Sequence, residues 1–121
     1  LDILLKSISY FEYDNVHVVG DGNARELIQK KFNNVKFGQH PNDLIFFEEI
    51  NLDLLSRLLS EEKNHNDSLV LIDKIHSNKN TTDLWNHIIK DEKAIVTIDF
   101  FHCGAIFFRQ EQVKEHFKIR I

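Results

Sequence analysis

The side chains that could do chemistry fall in short clusters, each just after an apolar run. Gly20, Asp21 and Gly22 follow NVHVV, Gln39 and His40 follow VKF, Glu48 and Glu49 follow DLIFF, and Asp73 and His76 follow SLVLI. If the apolar runs are parallel strands, these clusters stand together outside the carboxyl ends of one sheet, where ligands of such sheets bind. Glycines flanking an acid let a ligand approach the backbone closely, carboxylates hold hydroxyls or hard cations, and a histidine can take a proton.

Each cluster also has a plain structural use. Two glycines around Asp21 serve a tight turn as readily as a ligand loop, and spacing alone leaves the two readings level. Glu48 and Glu49 precede a helix, where acids commonly complement the helix dipole. Asp73 can fix its own loop by accepting backbone N–H groups, with His76 merely exposed beside it. The seven histidines show no metal-ligand spacing, and no HExxH or cysteine-rich pattern is present, so the sequence offers no metal site. Cys103 reads as a small core residue rather than a nucleophile, and Trp85 as core rather than a stacking platform.

The elements that must position these residues fit one domain. A chain of 121 residues, 42% hydrophobic, can bury one core and is too short for two ordinary domains, so residues 1–121 are read as a single unit. The net charge is -4 and the lysines and arginines are scattered, which argues against a nucleic-acid partner. A single cysteine cannot form an internal disulfide, and neither a signal peptide nor a membrane-spanning run is evident, so the expectation is a cytoplasmic protein without membrane contact. The sequence opens at Leu1 without a methionine, which suggests a partial chain.

Leu1, Leu4, Leu5, Ile8 and Phe11 share one face of a helix. NVHVV is then a short strand entering Gly20, and the helix after it has Asn23 and Glu26 placed as N-cap and capping box. A very short strand ends at Gly38 and Pro41, and DLIFF gives an interior strand. Asn51 can cap a helix with the stripe Leu52, Leu55, Leu58 and Leu59, and SLVLID is another buried strand. IHSNKN reads as a loop, and TTDLWNHIIKDEK as a helix capped by Thr81 or Thr82 with Leu84, Trp85, Ile88 and Ile89 inward.

Residues 94–109, AIVTIDFFHCGAIFFR, contain two apolar runs meeting at Gly104 and are read as a β-hairpin that reverses at that glycine. Its second run, Ala105 to Phe108, has no polar position and should be covered on both faces. Phe117, Ile119 and Ile121 alternate with Lys118 and Arg120, so the chain should end extended along a surface. The fold class is α/β, with a mostly parallel sheet, helices on its faces and a C-terminal antiparallel hairpin.

From SLVLIDKIH through TTDLWNHIIK to VTIDFFHCGAIFFRQEQVKEHFKIRI the chain resembles the C-terminal half of class I S-adenosylmethionine-dependent methyltransferases, specifically an O-methyltransferase-like group of Bacteroidetes. DLIFFEEIN resembles the group's fourth strand, and LLKSISYFEYDNVHVVGDG the helix and first strand leading to its cofactor turn. The likeness spans nearly the whole chain, strongest from residue 68 onward and weakest before residue 43. It implies a Rossmann-like methyltransferase sheet closed by a reversed hairpin, with S-adenosylmethionine as cofactor and a small-molecule oxygen as methyl acceptor. Residue by residue it implies Gly20, Asp21, Gly22 and Glu48 at the cofactor, and Asp73 and His76 on the catalytic side.

The chain departs from that pattern in several places. The glycine turn is shorter than the family's. The acid that would accept ribose hydroxyls after the second strand is replaced by Phe37, Gly38 and Gln39. Between Gly38 and Asp43 there is no room for a further strand and helix, so the sheet should be one strand and one helix short. An alternative alignment sets NVHVVGDG on the second strand, making Asp21 the ribose acid and removing the first strand; the helix before it favours the first alignment. Paired acids after the fifth strand become Asp73 and Lys74, which puts an ammonium where related enzymes hold Mg2+, and Lys74 is expected to pair with Glu48 or Asp73. The leading expectation is a shortened, degenerate methyltransferase with weakened cofactor binding. The alternative is a non-catalytic interaction module, with a homodimer or partner chain covering apolar surface. A metal-dependent hydrolase using Glu48, Glu49, Asp73 and His76 ranks third.

Overall fold

A computed structural model of the chain describes residues 2–39, 41–60 and 64–119; Leu1, His40, residues 61–63 and residues 120 and 121 lie outside it, as do the side chains of Leu58, Leu59, Ser60 and Asn64. The elements run α1 (Asp2–Phe11), β1 (Asn15–Val19), α2 (Ala24–Lys31), β2 (Lys36–Phe37), β3 (Asn42–Phe47), α3 (Leu52–Ser60), β4 (Asn64–Asp73), α4 (Lys79–Ile89), β5 (Val96–Asp99), β6 (Cys103–Phe107) and β7 (Glu115–Lys118). The fold is therefore α/β. Among the described residues, seven strands form one sheet in the order β2-β1-β3-β4-β6-β5-β7. β6 runs against β4 on one side and β5 on the other, while the remaining neighbours are parallel.

Alternation along the strands sends successive side chains to opposite faces, and both faces are covered. Ile45, Phe47, Val70, Ile72 and Ile106 pack with Leu55, Trp85 and Ile88 from α3 and α4. Leu44, Phe46, Leu69, Leu71 and Ala105 pack with Leu4, Ile8 and Ile28 from α1 and α2. The unbroken apolar runs of β3, β4 and β6 thus reflect strands between two helical layers. Among these, Ile45, Phe47, Val70, Ile72 and Ile106 have no exposed surface.

The hairpin reverses three residues earlier than its glycine suggests. Phe100, Phe101 and His102 make the turn between β5 and β6, closed by a Phe100 N–H donating to Cys103 O at 2.9 Å. Asp99 Oδ1 accepts the Phe101 N–H at 2.8 Å, an aspartate holding the backbone two residues on, with Phe101 at φ 74°. Gly104 lies inside β6 opposite Ile72 and Asp99. A Cβ there would stand 2.5 Å from Trp85 Cη2, so the glycine admits the indole ring rather than a turn.

Two helix caps also differ from expectation. Asn23 makes no side-chain cap at α2. At α4 the cap is Asn78, whose side chain accepts from Thr81 N while Thr81 Oγ1 accepts from Asn78 N, so Thr81 completes the box from inside the helix. Asn51 does cap α3, its Oδ1 accepting the Leu54 N–H at 3.0 Å. The last strand, β7, lies exposed at the sheet edge beside β5. Among the described residues no helix is long and apolar enough to cross a membrane.

Candidate functional site

β1, β3, β4, β5 and β7 all point their carboxyl ends at one edge of the sheet, so the candidate residues gather there. Gly20, Asp21 and Gly22 leave β1, Glu48 leaves β3, Asp73 ends β4 with His76 three residues on, and Asp99 ends β5. The edge divides into two halves with different contents.

On the β1–β3 side, the Glu48 N–H donates to Val19 O at 2.9 Å, which brings the Glu48 side chain across the glycine turn. Gly20 has φ 137°, and a Cβ on it would lie 2.8 Å from Glu48 Cβ; a Cβ on Gly22 would overlap Glu48 Oε2. The two glycines do permit a close approach, and the group that makes it is the chain's own carboxylate. Glu48 Oε1 is buried there without a hydrogen-bond partner, a state that costs on the order of 1–3 kcal/mol and favours any donor that reaches it. Asp21 is exposed. With the turn filled in this way, the residues present do not fit a bound S-adenosylmethionine.

On the β4–β5 side, His76 meets Asp99 rather than Asp73. His76 Nε2 lies 2.6 Å from Asp99 Oδ2 and His76 Nδ1 lies 3.1 Å from Thr82 Oγ1. The one Thr82 Oγ1 hydrogen is shared between His76 Nδ1 and Ile75 O, the latter at 3.3 Å. Burial pushes the Asp99 carboxyl upward, but the hydrogen bonds from His76 and from Phe101 N–H outweigh it and hold the group below the usual carboxylate range. The Trp85 indole N–H lies near enough to favour the ionised carboxylate but falls short of a hydrogen bond. A cavity of about 320 Å3 opens here, lined by His76, Asp99, Phe101, Lys118 and Ile119.

Asp73 lies opposite Cys103 in the β4–β6 ladder. Burial first, and then the Asp73 charge, push the Cys103 thiol up to about 11, so it is a neutral, buried group near neutral pH and no nucleophile. Lys74, at φ 59°, lines a second cavity of about 260 Å3 with Glu49, Ser77, Asn78 and Thr81 among its neighbours. Among the described residues it forms no ion pair with Glu48 or Asp73. No three His, Cys, Asp or Glu side chains among the described residues converge on a metal position.

Asp99, Lys118 and Phe101 are the members of this edge that the sequence reading passes over. Asp99 alternates with Thr97 in a strand and so looks like a polar-face residue. The signal that finds it is the carboxyl-end rule, which applies to β5 as much as to β1, β3 and β4. Lys118 is brought to the same edge by β7, whose register sets it opposite Asp99. No family model, curated protein or solved structure matches the chain.

Proposed function

We propose that the chain is a shortened methyltransferase-like domain of the class I type, whose cofactor turn is closed by Glu48 and whose acceptor-side cavity, around His76 and Asp99, is kept. The observation that carries this is Glu48 lying in the space that Gly20 and Gly22 leave open. Support for the scaffold comes from β6, a reversed strand set between β4 and β5, as the resemblance implies. Shortening is supported by the link of residues 38–41, which alone joins β2 to β3 although β1 lies between them. A parallel crossover ordinarily needs about a dozen residues or more.

In this reading His76 and Asp99 act on the acceptor side. Asp99 fixes the imidazole through Nε2 and Thr82 fixes it through Nδ1, so the ring is held rigidly at the cavity wall. The ionised Asp99 can still accept a hydrogen bond from an entering hydroxyl, because each carboxylate oxygen has a second lone pair. The partner is a small molecule with a hydroxyl group, and the location that goes with this reading is cytoplasmic. Calorimetric titration of S-adenosylmethionine and S-adenosylhomocysteine tests it: the native chain should be silent and Glu48→Ala should bind.

A second reading, an interaction module on the same scaffold, is favoured by Tyr10 and Val113, which are 81% and 78% exposed, and by Phe117 on the edge strand β7. It predicts a homodimer or a protein partner. Sedimentation equilibrium of the purified chain separates the cases, since a monomer at all concentrations contradicts the homodimer.

A further inference from the structure

We propose that the cavity between the ends of β4, β5 and β7 binds a small planar carboxylate bearing a hydroxyl group, that is, a single-ring hydroxy acid. The inference rests on the methyltransferase-like reading only in treating that hydroxyl as an acceptor; the binding itself follows from the lining residues.

Charge selects the carboxylate. Of the two fully charged groups among the described lining residues, Asp99 has donors on both oxygens, His76 Nε2 on Oδ2 and Phe101 N–H on Oδ1. Lys118 stands opposite Asp99 in register and forms no ion pair among the described residues. The charge left for a ligand to pair is therefore the exposed Lys118 ammonium, which takes a carboxylate. The lone pair left on Asp99 then selects a hydroxyl donor elsewhere on the same ligand.

Shape selects a flat, apolar body. Phe101 is 53% exposed and Ile119 is 43% exposed, both at the cavity. Phe101 adopts φ 74°, a backbone region that bulky residues rarely occupy and that persists where the surroundings enforce it. Here Asp99 Oδ1 enforces it by accepting the Phe101 N–H, so the residue that fixes His76 also holds the phenyl ring over the opening. The rings of His76 and Phe101 are 5.7 Å apart and inclined by 31°, forming a wall suited to offset stacking. At about 320 Å3 the space is at the small end of ligand pockets, which run from roughly 300 to 1,000 Å3. That size suits one ring rather than a nucleotide.

The test is a titration of para- and meta-hydroxybenzoate into the full chain without cofactor, followed by NMR signals of His76 and Phe101. One isomer should saturate with Kd below about 1 mM. Lys118→Ala should weaken that binding by about three- to tenfold and Lys118→Arg should retain it, as expected for an exposed ion pair. Phenol, lacking the carboxylate, should behave toward the native chain as the acid does toward Lys118→Ala. Absence of saturation by either isomer, or phenol binding as tightly as the acids, overturns the proposal. Acid binding in a chain whose Glu48→Ala variant never takes up S-adenosylhomocysteine upholds the pocket and removes the methyltransferase reading. Cofactor uptake by that variant without acid binding does the reverse.

Discussion

Two histidine–aspartate pairs occupy opposite ends of the same sheet. At the amino ends of the strands, His65 Nε2 lies 2.8 Å from Asp43 Oδ1, while Asp43 Oδ2 accepts the N–H groups of Asp14 and Asn15 at 3.0 and 2.9 Å. His65 Nδ1 accepts from Asp67 N, so the hydrogen resides on Nε2 and points at the carboxylate. Every partner outside the pair is backbone, and the pair ties the starts of β1, β3 and β4 together. At the carboxyl ends, the His76–Asp99 pair has one backbone donor, one threonine and an open cavity. The same two side chains at nearly the same distance thus serve as a clasp at one end and as the wall of an open cavity at the other. What separates them is whether the carboxylate's capacity is consumed by the fold.

The largest expected effect belongs to the clasp. Asp43→Ala leaves His65 and two backbone N–H groups without their charged acceptor and should lower the unfolding free energy by about 2–3 kcal/mol, measured by urea denaturation, while hydroxybenzoate binding persists. Asp99→Asn should cost less, about 1 kcal/mol, because the amide oxygen can still accept the Phe101 N–H. It should nonetheless remove binding, since the amide loses the negative charge that holds His76. Loss of binding in the Asp43 variant, or full binding by Asp99→Asn, would erase the distinction drawn between the ends.

Acid sharpens it further. Asp43 is pushed up by burial, but hydrogen bonds from Asn15 N–H, His65 and Asp14 N–H prevail and hold it, like Asp99, below the ordinary carboxylate value of 3.8. A depressed folded-state pKa adds stability that is present above the unfolded value and is lost as pH falls through the folded one. Urea midpoints should therefore drop below about pH 4, and this limb should flatten in Asp43→Asn. The smallest expected effect is on stability near Cys103, which should be none. With its thiol raised from 9.0 to about 11, the native chain should react with iodoacetamide at pH 8 roughly a hundredfold more slowly than a free cysteine. Rapid alkylation would show that the β4–β6 end opens.

Most of the fold is legible from local pattern. The apolar runs of β3, β4 and β6 and the stripes of α1 and α4 follow from burial periodicity, and Asn51 at the start of α3 from cap chemistry. Much of what the pattern reading misses is decided by distant contacts, and the rest by a choice between neighbouring caps. Gly104 serves a turn or a close approach equally well in sequence, and only the Trp85 ring lying over it decides. Asn78 takes the α4 cap because Thr81 answers it across one turn. At the site, Asp73 and His76 are three residues apart, yet His76 turns to Asp99, which is 23 positions away. Glu48 was visible as an acid at a strand end, but its burial against Gly22 depends on how β1 and β3 pair.

The most direct test of the account is titration of S-adenosylhomocysteine into the native chain and into Glu48→Ala, with circular dichroism showing both folded. The account predicts no heat with the native chain and saturable binding, with Kd below about 1 mM, once the carboxylate is removed from the Gly20–Gly22 turn. Saturable binding by the native chain, or silence from Glu48→Ala, would contradict it.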